Sequence, residues 1–108
     1  MIERVGDRVA RKPQGHRVIS EATASSLRRM LEGVLGPGGT ATEAQVPGYK
    51  LAGKTGTAEI NIEQGINDLW FIGFTEDVAV AVIIEREQGQ GGTVAAPIAK
   101  QVLQALGQ

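Results

Sequence analysis

The sequence predicts an α+β fold in which one helix, a run of three strands and a closing helix follow a short N-terminal hairpin. Three observations carry the prediction. Ala24, Leu27, Leu31, Val34 and Leu35 recur at helical spacing. Residues 49–55, 69–75 and 78–85 are extended in character, and glycine or acidic turns separate them. Pro97 stands where a first helical turn tolerates it, ahead of Ile98, Val102, Leu103 and Leu106.

Taken in order, residues 2–12 alternate enough for a hairpin, with Gly6-Asp7 as its turn. Ser20 suits an N-cap, and Glu21 complements the positive end of the helix it opens. Gly36-Pro37-Gly38-Gly39 ends that helix, and residues 40–45 lead to the first strand. The second and third strands join through Glu76-Asp77. Residues 78–84 are apolar throughout, which predicts cover on both faces. A loop with Gly89, Gly91 and Gly92 opens the last helix, whose face of Ile98, Val102, Leu103 and Leu106 is expected to pack on the sheet.

At 108 residues the chain has room for one domain with a modest core. A net charge of −1 gives no argument for nucleic acid or a strongly acidic partner. The first seventeen residues are locally basic through Arg4, Arg8, Arg11, Lys12 and Arg17, and a solvated surface accounts for them. With no cysteine, disulfide and thiol chemistry are excluded. No signal peptide is read, and the apolar run at 78–84 is far too short to span a membrane.

The segment Tyr49-Lys50-Leu51-Ala52-Gly53-Lys54-Thr55-Gly56-Thr57 carries the chemistry, and it admits two readings. Gly48, four residues, then Gly53-Lys54-Thr55 fits the spacing of a phosphate-binding P-loop. That motif needs a buried strand before the first glycine and a helix starting at the lysine. Residues 43–47 are too polar and too short for the strand, and Gly56 is a poor helix start. In the alternative, residues 49–55 are themselves a strand, with Leu51, Gly53 and Thr55 on one face and Lys50, Ala52 and Lys54 on the other. Gly53 and Gly56 then suggest close approach of another backbone or a ligand. One cation and two hydroxyls around a bare glycine suit an anionic or carbonyl-bearing substrate. The residues favour the strand.

The surroundings of this segment resemble a known family. Val18-Ile19-Ser20-Glu21-Ala22-Thr23 with Met30-Leu31-Glu32-Gly33-Val34, then Ala52-Gly53-Lys54-Thr55-Gly56-Thr57-Ala58-Glu59, then Trp70-Phe71-Ile72-Gly73-Phe74-Thr75, then Gly91-Gly92 with Ala95-Ala96-Pro97-Ile98-Ala99-Lys100 occur in the order seen in penicillin-binding protein transpeptidases. The likeness is strongest to the class B, monofunctional enzymes that cross-link peptidoglycan, and it runs from about residue 17 to the end. It implies that residues 1–108 are the C-terminal portion of a transpeptidase domain, with a hairpin and loop over 1–17 and the remaining elements over 18–108. It also implies a β-lactamase/transpeptidase-like fold: an antiparallel sheet, five-stranded in the family and three-stranded here, with the closing helix packed on it. The strand that normally pairs with residues 78–85 is then missing, and such an edge favours a homodimer or exchange with a neighbour. The link between the last two strands is shorter than is usual for the family.

The resemblance implies acyl transfer. Lys54 would polarise a serine network and help move its proton, and Thr55 and Thr57 would hold the carboxylate of a stem peptide or a β-lactam beside the bare Gly56. The Thr57 N–H would form half of an oxyanion hole. The family acylates the serine of an S-x-x-K motif and uses a second S-x-N motif, both upstream of the Lys-Thr-Gly strand. Ser20, Ser25 and Ser26 have neither lysine three positions on nor asparagine two positions on; Arg28 and Arg29 follow Ser25 and Ser26, and a guanidinium cannot serve as the base. The chain alone is therefore expected to be inactive, needing the N-terminal part of the domain as its partner. A non-catalytic module that binds peptidoglycan peptides is a further alternative. No metal, cofactor or nucleic acid is implied, and the parent enzyme would work on the extracytoplasmic face of a bacterial membrane.

Other residues carry weaker signals. His16, the sole histidine, lies in a Pro-Gln-Gly-His-Arg loop and is a poor catalytic candidate. Asp68, Glu85 and Glu87 read as surface charges at strand ends, and Trp70 as a core or site-wall residue.

Overall fold

A computed structural model describes residues 4–11 and 13–107. Strands β1 (Arg4–Val5) and β2 (Arg8–Val9) pair antiparallel around Gly6-Asp7, as the alternation predicts. Residues 2, 3 and 12 of the expected hairpin, including the basic Lys12, lie outside the described residues.

Helix α1 spans Glu21–Gly33, and the Thr23 N–H donates to the Ser20 hydroxyl, so the predicted cap forms. None of its residues is fully buried. Ala24, Leu31 and Val34 are half-buried, whereas Leu27 of the predicted face is exposed. The helix lies beside the start of the main sheet, where the Arg28 guanidinium stacks 5.3 Å from the Phe74 ring centroid and donates to the Lys50 carbonyl.

The main sheet is antiparallel in the order β3 (Ala52–Asn61), β4 (Ile66–Phe74), β5 (Ala79–Glu87). The Lys-Thr-Gly strand therefore starts three residues later than the alternation from Tyr49 suggested, and runs six residues further. The reason is tertiary. Tyr49 is held in a turn by its N–H donating to the Val46 carbonyl, while residues 56–61 find partners along β4. The Asn61 side chain closes the β3–β4 turn by accepting from the Gln64 N–H.

Paired residues across an antiparallel sheet share a face. One face carries Gly53, Thr55 and Thr57, then Leu69, Phe71 and Gly73, then Val80, Val82 and Ile84. The other carries Lys54 and Gly56, then Trp70 and Ile72, then Ala81 and Ile83. The first face is covered. Leu35, Ala41, Ala44, Val46 and Leu51 pack there with Ala95, Ala96, Ala99 and Leu103 around the fully buried Phe71. The Phe71 ring lies against the bare backbones of Gly53 and Gly73, so the close approach expected at Gly53 is made by β4 itself.

Two packing expectations need correction. Strand β5 is covered on one face only: Val80, Val82 and Ile84 are half-buried, whereas Ala79, Ala81 and Ile83 are exposed. In α2 (Ala96–Leu106), entered through a π-helical turn at Gly91–Ala95, the buried residues are Ala96, Ala99 and Leu103. Ile98, Val102 and Leu106 are exposed. Small alanines let the helix backbone approach the sheet, so of the predicted face only Leu103 packs there. Pro97 does fall in the first turn.

Candidate functional site

The candidate site lies along β3, an outer strand of the sheet. Gly53-Lys54-Thr55 sits inside this strand, whose pairing with β4 continues to Asn61, and no helix begins at Lys54. The P-loop spacing is therefore a chance match: its physics needs a loop leading into a helix N-terminus.

Alternation along β3 separates the predicted site residues. The side chain of Lys54 projects from the uncovered face, next to the cross-strand Ile72, and its ammonium donates to the Thr55 carbonyl at 2.8 Å. That contact marks the Thr55 carbonyl as accessible from the edge opposite β4. Backbone groups two residues apart in a strand point the same way, so the Thr57 N–H projects from the same free edge. Gly56 lies across from Trp70, which is 39% exposed, so Trp70 is not a core residue and instead flanks the open face.

Thr55 and Thr57 project from the covered face, toward the chain segments that border β3. The Thr57 hydroxyl accepts from the Gly91 N–H at 3.2 Å. The Thr55 hydroxyl lies 3.0 Å from that of Thr40. A side chain at Gly91 would collide with the Trp70 carbonyl, and one at Gly92 with the Thr40 carbonyl. The glycines before α2, readable in the sequence only as a helix start, are thus what lets the π-helical turn lie against the hydroxyl-bearing strand. Thr40 and Gly91 were not legible as site residues, because nothing local to either points to β3.

The remaining candidates stay apart from this edge. His16 is exposed in the loop before α1. Asp68 accepts from the Arg86 N–H at 3.0 Å, across a bulge where one residue of β4 faces two of β5. Glu85 and Glu87 are exposed, and no group of three or more potential metal ligands occurs among the described residues. What the edge offers is one cation, two hydroxyls in fixed company and backbone donors with no strand partner among the described residues.

Comparison with known proteins gives one consistent result. The family model described as the penicillin binding protein transpeptidase domain matches residues 1–104. The chain is 36% identical over 102 residues to the probable peptidoglycan D,D-transpeptidase PenA of Neisseria gonorrhoeae, covering 84% of this chain and 18% of that protein. It is 38% identical over 98 residues to the stage V sporulation protein D of Bacillus subtilis, covering 80% of this chain and 15% of that protein. The chain thus spans less than a fifth of the length of these curated relatives. Among solved structures, it resembles a ceftriaxone acyl-enzyme complex of penicillin-binding protein A from Mycobacterium tuberculosis, with a TM-score of 0.75 at 30% identity over 94% of this chain and 24% of that one. The D,D-transpeptidase domain of a peptidoglycan glycosyltransferase from Eggerthella lenta matches with a TM-score of 0.70 at 35% identity, over 94% of this chain and 24% of that one.

Proposed function

Because this chain belongs to the penicillin-binding protein transpeptidase family, we propose that it supplies the Lys-Thr-Gly wall of a peptidoglycan D,D-transpeptidase site. The observation that carries the reading is the division of β3. Lys54 stands on the uncovered face, Thr55 and Thr57 on the covered one, and between them runs an edge with no strand partner among the described residues.

Each part has a chemical use in acyl transfer at a serine. A stem peptide or β-lactam binds as an added strand along the free edge of β3, so its backbone completes the sheet. Its carboxylate takes hydrogen bonds from the Thr55 and Thr57 hydroxyls. The Thr57 N–H points at the carbonyl oxygen that becomes negative as the serine attacks, and removing one such donor typically raises the barrier by about 2.7–4 kcal/mol. Gly56 leaves room for the substrate to approach Trp70. Lys54, on the other face, meets the serine and its base, which an element outside these 108 residues provides. The uncovered Trp70, Ile72 and Ile83 receive that element.

The partners follow from the same reading: a segment bearing S-x-x-K, and a strand for the outer edge of β5, which in isolation is filled by a second copy of the chain. No described helix is long and apolar enough to cross a membrane, and the whole enzyme acts on the extracytoplasmic face.

Intact-mass measurement after incubation with penicillin tests the function. The chain alone should keep its mass, and an adduct on it would refute the assignment of the nucleophile elsewhere. Mixed with the S-x-x-K-bearing portion of a relative such as PenA, it should promote acylation of that portion. Lys54→Ala should abolish the effect, and equal acylation with and without the chain would refute the proposal. Light scattering tests the edge: a monomeric mass at high concentration excludes self-pairing through β5.

A further inference from the structure

We infer that Thr40 is a positioning residue of this site, which holds the Thr55 hydroxyl in one orientation and makes it a donor to a bound carboxylate. The inference deepens the reading of β3 as a substrate-binding edge and rests on it for the ligand.

The Thr55 side chain is tied through its hydroxyl and bordered on its methyl side by the bare backbone of Gly92. Its hydroxyl lies 3.0 Å from the Thr40 hydroxyl, fifteen residues earlier in the chain. Its methyl faces the space that Gly92 leaves empty, 3.5 Å from where a Cβ there would lie. A threonine tied through its hydroxyl is biased to one χ1 rotamer, because β-branched residues have few to begin with.

The anchor itself is held in place. The Gly36-Pro37-Gly38-Gly39 turn folds back on the end of α1, with the Gly39 N–H donating to the Gly36 carbonyl and the Ala41 N–H to the Val34 carbonyl, each at 2.9 Å. A side chain at Gly39 would collide with the Val34 carbonyl, and Ala41 is fully buried. Gly92 permits the Thr40 carbonyl to sit against the π-helical turn. Thr40 thus stands on a braced corner while its hydroxyl stays at the surface.

The chemistry of a carboxylate sets the direction of the pair. An ionised carboxylate only accepts, so Thr55 must give its single proton to it. The Thr55 oxygen then accepts from the next donor, which is the Thr40 hydroxyl. The order Thr40 O–H to Thr55 O–H to carboxylate polarises each bond in turn. Thr57 is served in the same way by the Gly91 N–H.

The test uses isotope-labelled chain as wild type, Thr40→Val, Thr40→Ala and Thr40→Ser, with amide dispersion confirming the fold. The Thr55 χ1 is read from three-bond couplings, and binding from shift titration with N-acetyl-D-alanyl-D-alanine. Thr40→Val and Thr40→Ala should both leave Thr55 averaging between rotamers. They should also weaken the dipeptide's affinity by about two- to twelve-fold, the worth of one hydrogen bond. Thr40→Ser should restore both. A Thr55 that keeps its wild-type couplings in Thr40→Val and Thr40→Ala overturns the inference, as does a serine variant that behaves like alanine. If Thr55 loosens as expected while wild type gives no shift with the dipeptide, Thr40 keeps its positioning role and the substrate reading of β3 falls.

Discussion

Replacing Gly53 by alanine tests how the strand that carries Lys54 and Thr55 is seated. The new methyl would lie 2.6 Å from the Ile72 carbonyl oxygen and 2.7 Å from the Phe71 Cζ. Neither neighbour yields freely, since the oxygen belongs to the backbone of the central strand and Phe71 is fully buried. Overpacking typically costs about 1–3 kcal/mol, and two such close contacts place this substitution near the upper end, at about 3 kcal/mol. In a domain of this size each kcal/mol lowers Tm by about 4–8 °C, so a fall of about 12–24 °C is expected. Thermal unfolding followed by circular dichroism reads the shift, with the fluorescence of Trp70, the sole tryptophan, as a second probe. Phe71→Leu in the same background removes the ring contact but leaves the carbonyl. The double-mutant cycle should therefore show favourable coupling of about 0.5–3 kcal/mol with a defect remaining. An unchanged Tm for Gly53→Ala would refute the close seating of β3 on β4. Complete recovery with Phe71→Leu would show that the carbonyl contact does not limit it.

Substitutions at five other positions probe elements around the site. Ser20→Ala removes the acceptor for the Thr23 N–H and should lower stability by about 1 kcal/mol in urea, with Ser20→Asp keeping it. Asp68→Ala strips the acceptor from the Arg86 N–H at a position with φ of 54° and should cost about 0.5–1.5 kcal/mol. Arg86→Gly should recover about 1 kcal/mol, because glycine adopts that backbone without a Cβ clash. Leu103→Ala should cost about 2–5 kcal/mol, since the side chain is 5% exposed. Leu106→Ala, at 62% exposure, should change stability by less than about 0.5 kcal/mol, and a loss there as large as that at Leu103 would restore the helix face read from side-chain size.

What the sequence made legible is what local chemistry controls. The Ser20 cap, the glycine-rich stop after α1, the Gly6-Asp7 turn and Pro97 at the start of α2 all depend on neighbours within a few residues. So does the alternation that puts Lys54 and Thr55 on opposite faces. The misjudged features depend on distant neighbours. The length of β3 is set by β4, which supplies partners out to Asn61. The buried face of α2 is set by how closely the helix can approach Phe71 and its surroundings, which favours Ala96 and Ala99 over Ile98 and Val102. In β5, an apolar run says that both faces can be covered, and only the order of elements decides which one is.

The same distinction explains why the site was half readable. Lys54, Thr55 and Thr57 lie in one segment, so a single strand reading collects them. Their surroundings come from the turn after α1 and from the glycines before α2, segments that serve equally well as punctuation. A glycine that ends or opens a helix needs conformational freedom, whereas one pressed on another backbone needs the absence of a side chain, and the letter is the same for both. At Gly92 the second need dominates, since any side chain there would displace Thr40. Bulk at Gly92 should therefore mimic the loss of the Thr40 hydroxyl by moving the anchor, not removing it. Gly92→Ala should release the Thr55 rotamer as Thr40→Val does, and a Thr55 left fixed in that variant would break the link between the turn and the strand.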